Sequence, residues 1–382
     1  MTLGLLAAAG LGLWLYLLLG RGGFWLCTER DDWKTVALVQ RPGVAVVMPA
    51  RNEAAGIAAS ARSLAAQDYP CTIVLVDDES SDGTAEIARA ALATNGGHQF
   101  QVVKSQNLPP GWTGKLWAIK QGIDAAMALR PAPEYLLLTD ADIVHPADSI
   151  TRLVVQARSK GLLLTSLMVE LRCKTFAERI TIPAFIFFFQ MLYPFAWVNN
   201  PRNEIAAAAG GCMLIRADAL LRIGGIAAIR DALIDDCALA KAFKRHGPIW
   251  LALSSRVRSI RSYASLAEIR AMVVRSAYAQ LRYSPVLLLA TVAAMTIAYL
   301  LPPVMAIFGP GAARAMGALS WSLMAIAFLP TLRLYRVSAV WSVALPAIAL
   351  LYMVFTLDSA YQYLRGRGGS WKGRVQANMS KS

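Results

Sequence analysis

The chain has 382 residues, of which 56% are hydrophobic and only 16% charged, with 38 Lys and Arg against 24 Asp and Glu and a formal net charge of +14. Soluble domains run roughly 45–50% apolar and about 25% charged, so these figures, with a mean hydropathy of +0.45, argue against a disordered chain and against a wholly soluble one. In so apolar a chain the basic excess points to anionic lipid rather than nucleic acid, and five scattered cysteines without a CxxC, beside three histidines, give no support to a disulfide framework or a Cys/His zinc site.

Leu3–Leu19 is an uncharged run of 17 residues, near the lower limit for a membrane-spanning helix. Arg21 and Arg30 follow it and no basic residue precedes it, which places the N-terminus outside and the following chain in the cytoplasm. A cleaved signal peptide would carry its charges first and end in a small-residue cleavage site.

From Gly43 to about Lys174 short β-rich runs alternate with Ala-rich stretches of helical length. Strands are expected at Val44–Met48, Thr72–Val76, Phe100–Val103, Tyr135–Leu138 and Leu162–Val169. Helices are expected at Glu53–Ala66, Thr84–Ala93, Lys115–Leu129 and Ala147–Ser159. That alternation predicts a mostly parallel α/β sheet. Ile182–Val198 is apolar and aromatic but interrupted by Pro183, Gln190 and Pro194; a buried core helix and a helix lying in the membrane interface both fit it.

From Pro285 onward three apolar runs follow, Pro285–Phe308, Ala315–Pro330 and Ser338–Leu357, and then a tail with Arg365, Arg367, Lys372, Arg374 and Lys381 but no acid. Three crossings from the cytoplasm would put that basic tail outside, against the positive-inside preference. Either one run does not cross or the rule is broken here.

Ligands of an open α/β sheet bind beyond the carboxyl ends of its strands, and three of those ends are acidic. The first leads into Arg51-Asn52-Glu53, the second into Asp77-Asp78-Glu79 and Asp82, and the run at 135–138 into Asp140-Ala141-Asp142. A single such acid is often a helix N-cap, as Asp82 before Gly83-Thr84 is expected to be. Acids gathered at three neighbouring strand ends repel one another, and a divalent cation would offset the charge. The pair Asp140 and Asp142 offers hard oxygen ligands suited to Mg²⁺ or Mn²⁺ completed by a nucleotide diphosphate.

A Walker loop is excluded around Gly114-Lys115, because Pro109 and Leu116 stand where Gly and Ser or Thr are needed, and no GxGxxG follows the first strand. Lys115 at a helix start remains well placed to meet phosphate. Asp235 and Asp236 precede another helical stretch. They serve either as negative charge at a helix N-terminus or as a site in which one carboxylate is a general base. Gly210-Gly211 and Gly224-Gly225 allow backbone to approach a ligand closely there.

VVMPARNE, VLVDDESSDGT, LLLTDAD and LIDD, in this order and spacing across about residues 43–283, resemble the family 2 glycosyltransferases of the GT-A fold. Together with GWTGKLWA and the hydrophobic layout, they most resemble the bacterial hopene-associated membrane glycosyltransferases. The resemblance implies a Rossmann-like α/β domain with one N-terminal and about three C-terminal transmembrane helices. Its divisions are an anchor and linker (1–40), a GT-A domain (41–260) containing the apolar segment 182–198, and a segment carrying QLRY (261–284). The transmembrane helices (285–364) and a basic tail (365–382) follow.

It further implies that Glu53 holds the donor ribose side, that Asp78 with Asp77 holds the nucleobase, and that Lys115 lies near the donor phosphates. Asp140 and Asp142 form the metal-binding DxD, Asp142 being the direct ligand. Asp236 of the acidic pair deprotonates the acceptor, with Asp235 beside it. The family's QxxRW element is approximated by Gln280-Leu281-Arg282-Tyr283, one residue short and with Tyr for Trp. That departure falls on the spacing of Gln280 while leaving Arg282 in place, and it argues against a processive synthase. The implied activity is inverting, metal-dependent transfer of one sugar from a nucleotide-sugar (a UDP-sugar) to a lipid hydroxyl, a hopanoid among the candidates. Its place is the bacterial inner membrane, with the catalytic domain facing the cytoplasm. The rivals are a polyprenyl-phosphate glycosyltransferase and a non-catalytic membrane scaffold with a degenerate transferase domain.

Overall fold

The computed structural model describes residues 2–33, 40–93, 97–371 and 374–375. Part of the linker and half of the basic tail, with Lys372 and Lys381, lie outside the described residues. The chain divides into two compact units. One is α/β and comprises Glu29–Arg172, Trp197–Ser262 and the residues from Trp371; the other is helical and comprises Met1–Thr28, Cys173–Ala196 and Tyr263–Ser370.

The α/β unit is built on eight strands: β1 (Val44–Ala50), β2 (Cys71–Asp77), β3 (Gln99–Lys104), β4 (Tyr135–Thr139), β5 (Ile143–Val144), β6 (Leu164–Glu170), β7 (Cys212–Arg216) and β8 (Ile249–Ser259). They form one sheet in the order β3-β2-β1-β4-β7-β6-β8-β5. The half β3-β2-β1-β4 is parallel throughout. β7 runs antiparallel to both β4 and β6, while β6 and β8 are parallel.

β1 is buried along its whole length, as expected where helices cover both faces of a parallel sheet and the strand reads as a continuous apolar run. The helices Ile57–Ala65, Thr84–Ala93, Gly114–Met127 and Ser149–Ser159 connect these strands. The first begins four residues later than the sequence suggests, because Glu53 to Gly56 form a turn in which Ile57 N–H donates to Glu53 O at 2.9 Å. Gly114–Met127 lies so close to the sheet that a Cβ on Gly122 would stand 2.5 Å from Val47 Cγ1 and 2.9 Å from Val76 Cγ2. Register sets Ala50 beside Asp77 and Asp77 beside Lys104, so the acidic loops leave one edge of the sheet together.

β5, β7 and β8 have no counterpart among the strands expected from sequence. β7 is a five-residue run behind a glycine pair. In β8 the apolar half Ile249–Leu253 gives way to SSRVRS, where Ser254, Val257 and Ser259 are buried and the other three residues are exposed.

In the helical unit, Thr2–Leu19, Pro285–Phe308, Gly311–Leu334 and Ala339–Leu364 are each long and apolar enough to cross a membrane. Pro302 and Pro303 cannot donate to carbonyls four residues earlier, and a π-turn at Thr296–Leu300 relieves the mismatch. The released Ala298 O accepts instead from Trp14 Nε1 at 2.7 Å.

The apolar stretch 182–198 is divided. The helix Phe176–Leu192 opens on a capping box in which Thr175 and Glu178 cap each other. Glu178, fully buried, also accepts from Tyr263 N at 2.8 Å. Phe187 is 0% exposed and packs against Phe24 and Phe328, so this helix is core of the helical unit, while the residues from Trp197 onward belong to the α/β unit.

Candidate active site

The loop after β1 is tied to the loop after β2. Asn52 N donates to Ser80 Oγ at 3.0 Å, Ser81 N to Asn52 Oδ1 at 2.9 Å and Glu53 N to Thr84 Oγ1 at 2.8 Å. Asn52 takes a left-handed φ of 50° to do so, a conformation that Asn tolerates better than most residues. Asp82 caps the helix at Thr84, accepting Thr84 N at 3.1 Å and, through its second oxygen, Ala54 N at 3.0 Å. Burial opposes its ionisation. The Thr84 side chain and the two backbone donors outweigh that and hold the carboxyl below its usual value.

Asp78 is fully buried, with the Arg51 guanidinium 3.6 Å from its Oδ2. Asp77 has a buried oxygen without a hydrogen-bond partner among the described residues. It opens onto a cleft of about 430 Å³ lined also by Glu79, Ser80, Arg89, Val102 and Lys104.

The second cluster converges on Lys115. Thr113 caps its helix, accepting Leu116 N at 3.3 Å, which points the first turn at the β4 edge. Lys115 Nζ stands 3.0 Å from Asp140 Oδ1 and 3.3 Å from Asp235 Oδ2. Burial alone would lower the Lys115 pKa; the facing carboxylates of Asp140 and Asp235 override it and push the amine well above its ordinary value. Asp140 is raised, chiefly by burial, against the pull of Lys115.

Asp236, at the start of the helix Asp235–Lys244, accepts Gly210 N at 2.9 Å and Cys237 N at 2.7 Å, one on each oxygen. Burial and then the neighbouring Asp235 push its pKa up to about 6, with Lys115 and the two backbone donors resisting. Asp142 Oδ2 accepts from Ser259 Oγ at 2.7 Å, and its other oxygen has no hydrogen-bond partner among the described residues. Behind the cluster, Thr139 donates to Gly211 O at 2.9 Å and lies 2.9 Å from His145 Nε2. This makes Nε2 the donor and leaves Nδ1 to accept from Ser149 Oγ at 3.3 Å. Burial lowers His145 to about 4.

The structure therefore brings Lys115, Asp140, Asp142, Asp235 and Asp236 to one edge of the sheet, with Glu53, Asp77 and Asp78 on the neighbouring tied loops. Gln280 and Arg282 belong to the helical unit. Gln280 Nε2 donates to Tyr193 Oη at 2.5 Å, while Arg282 and Tyr283 both have positive φ and form a turn. Ser259 and His145 were not singled out from sequence. Ser259 ends β8, a strand whose polar half hides it, and His145 is one of only three histidines.

Among the described residues no group of three or more His, Cys, Asp or Glu side chains is placed to hold a divalent cation. Mg²⁺ and Mn²⁺ sites of nucleotide enzymes take one or two carboxylates and complete their shell with phosphate and water. Asp142, with an oxygen still unpartnered, and Asp140 fit that arrangement.

Residues 45–224 match the family described as glycosyl transferase family 2, which supports a family 2 glycosyltransferase. The chain is 32% identical over 120 residues to the undecaprenyl-phosphate 4-deoxy-4-formamido-L-arabinose transferase of Aeromonas hydrophila, covering 30% of this chain and 33% of that one. It is 28% identical over 124 residues to the 4,4'-diaponeurosporenoate glycosyltransferase of Staphylococcus haemolyticus, covering 31% and 30%. The chain thus matches about a third of the length of these curated relatives. Among solved structures it is similar to a mannosyltransferase from Pyrobaculum calidifontis in complex with GDP-Man and Mn²⁺. The TM-score is 0.55 at 19% identity, over 95% of this chain and 99% of that one. At that identity the likeness shows the shared fold, an α/β sheet of the GT-A type with associated helices.

Proposed function

We propose that the protein is a membrane-bound, inverting glycosyltransferase that moves one sugar from a nucleotide-sugar to a hydroxyl of a lipid. The observation that carries this reading is Asp236, seated on the Gly210 and Cys237 N–H groups and raised to about 6, beside a lysine held between two further carboxylates. A general base works best with a pKa near the operating pH, and a carboxylate pinned through both oxygens keeps its orientation.

In the reaction Asp236 takes the proton from the acceptor hydroxyl, whose oxygen attacks the anomeric carbon from the face opposite the diphosphate. Lys115 supplies positive charge where the leaving diphosphate develops negative charge. Arg282 is assigned the same task, and Gln280 a part in donor binding, on the resemblance of QLRY alone. Glu53 faces the ribose, and Asp77 and Asp78 face the base, uracil in the first instance. Asp142 and Asp140 would hold Mg²⁺ or Mn²⁺, which when bound neutralises charge on the diphosphate. A lipid acceptor is supported by four helices apolar enough to cross a membrane and by the lipid-linked names of the relatives. A hopanoid is the first acceptor to try, on the GWTGKLWA resemblance. The proposed location is the bacterial inner membrane, with the α/β unit on the cytoplasmic side.

The similarity to an undecaprenyl-phosphate transferase favours a second reading, in which the acceptor is a polyprenyl phosphate. Asp236→Asn separates the two. A hydroxyl acceptor needs the base, and general-base contributions are about 10²–10⁴-fold, so transfer should fall by that factor while titrated nucleotide affinity changes little. Asp235→Asn, one residue away, should have a milder effect. A phosphate acceptor is already ionised, and transfer within a few fold of wild type would reject the base and favour the phosphate. Loss of nucleotide binding together with transfer would place Asp236 in the donor pocket instead.

A further inference from the structure

We infer that the last apolar segment, Ala339–Leu364, does not cross the membrane: it enters and leaves on one face, so that Arg365 and Arg367 emerge on the same side as Arg21 and Arg282. Four sets of contacts within the helical unit carry the argument.

The first set defines two full crossings. Pro285–Phe308 and Gly311–Leu334 are joined only by Gly309 and Pro310, and a Cβ on Gly317 would stand 2.6 Å from Met305 Cβ and from Ala306 N. They form an antiparallel hairpin with its tip at Gly309, and the start of the first and the end of the second share the opposite face.

The second set adds the N-terminal helix. Ala7 packs with Met305 and Ala313 near the tip, Trp14 bonds to Ala298 at mid-depth, and Cys27 Sγ lies 3.5 Å from Thr331 Oγ1. Thr2–Leu19 therefore runs parallel to Gly311–Leu334, and Arg21 belongs to the face away from the tip.

The third set concerns the start of the last segment. After Leu334 the chain turns at once, with Val337 N bonding to Leu332 O at 2.9 Å, and returns along the helix it has just left. Trp321 Nε1 donates to Val343 O at 3.0 Å, and on the antiparallel hairpin Trp321, twelve residues after Gly309, lies at about the depth of Tyr299, ten residues before it. By residue 343 the chain is inside the apolar layer.

The fourth set fixes where it goes next. From Leu345 the helix moves back toward the face it came from. Tyr352 Oη donates to Thr181 O at 2.8 Å, Tyr278 N donates to Ser359 Oγ at 3.0 Å, and the Tyr363 ring stacks on Tyr283 with centroids 4.4 Å apart. Tyr283 stands two residues before Pro285, at the entrance to the first crossing of the hairpin. A helix that crossed would end beside Gly309 instead. The descending piece is the short 3₁₀ turn Ala339–Ala344 and the ascending piece is Leu345–Leu364, with Pro346 in the first turn of the latter. Phe176–Leu192 packs against both pieces, through Phe176 on Trp341 and Phe188 on Tyr352.

Irregular or doubled-back backbone at membrane depth is tolerated where protein covers it, and Leu345, Ile348 and Ala349 are at most 3% exposed. This path also removes the conflict raised by the sequence. Arg333, Arg336, Arg365 and Arg367 join Arg21, Arg275 and Arg282 on one face, where anionic headgroups attract them, and among the described residues Arg314 marks the tip.

The test is side-specific labelling of the full-length protein in sealed membrane vesicles of both orientations with a membrane-impermeant maleimide, the signal of the parent chain being subtracted. Pro310→Cys reports the tip, Arg336→Cys the opposite face and Arg367→Cys the end of the last helix. Ala312→Cys replaces the first variant if it does not accumulate. Arg367→Cys is expected to label from the same side as Arg336→Cys, and Pro310→Cys from the other. Labelling of Arg367→Cys with Pro310→Cys would overturn the inference by showing a third crossing in the C-terminal half. Labelling of Pro310→Cys and Arg336→Cys from one side would overturn it by removing the hairpin on which it rests.

Discussion

The two units handle polar groups in opposite ways. In the helical unit many buried polar side chains are turned back onto backbone, as Trp14 onto Ala298, Tyr352 onto Thr181, Ser359 onto Val274 and Glu178 onto three N–H groups, while Gln190 and Thr331 meet Cys27 and Tyr299 meets Met191. Such groups are satisfied and have nothing left to offer a ligand. In the α/β unit the strand-end carboxylates face one another and a lysine, and Asp77 keeps a buried oxygen without a hydrogen-bond partner among the described residues. Like charges confined together shift one another's pKa values, and such clusters mark sites that await an opposite charge. Polar density alone does not separate the units; what separates them is whether the polar atoms are already used.

His145 probes the satisfied class inside the α/β unit. Its folded pKa of about 4 lies below the ordinary 6.5 because burial disfavours the cation. As pH falls below 6.5 the unfolded chain takes up a proton that the folded one refuses, so stability is lost down to pH 4. The gap corresponds to about 3 kcal/mol. Asp236 is raised above its unfolded value and contributes with the opposite sign in the same window, so the whole-protein curve is flattened. The difference between wild type and His145→Gln in denaturant titrations from pH 7 to 4 isolates the histidine. An unchanging difference would show that His145 is accessible to protons when folded.

Glycine packing sharpens the comparison at a smaller scale. Gly122→Ala pushes against Val47 and Val76 side chains, whereas Gly317→Ala meets the backbone of Pro302 and Ala306. Overpacking costs about 1–3 kcal/mol; Gly122→Ala should lie near the lower end and Gly317→Ala near the upper. Thermal unfolding in detergent gives the ranking, and the reverse order would mean that the helical hairpin yields more easily than the sheet.

The smallest expected effect tests whether Lys115 tunes the proposed base. It is one of the groups holding Asp236 down, so Lys115→Met should move the acid limb of the transfer rate to higher pH by about one unit, on the scale of a single nearby opposite charge. An unmoved limb, with activity remaining, would disconnect the lysine from Asp236.

Much of this was legible in the chain. The parallel half of the sheet follows from apolar runs at helix-sized intervals, and the acids lie at strand ends because those positions are fixed once the strands are. Apolar length identified the helices able to cross a membrane. β7 and β8 were missed because a five-residue run beside glycines, and a strand whose second half is polar, carry little periodic signal. Ser259 and His145 were missed with the elements around them.

By itself, then, the sequence determined the parallel half of the buried sheet, which helices suit a bilayer and which carboxylates stand at its strand ends, since each depends on residues close together in the chain. Only the tertiary structure decided that Lys115 sits between Asp140 and Asp235, that Gly210 N–H holds Asp236, and that the helix ending at Leu364 returns to Tyr283. Hydropathy measures how much of a segment prefers lipid and is blind to direction, so a crossing and a return look alike until contacts such as Trp321 with Val343 and Tyr283 with Tyr363 fix both ends.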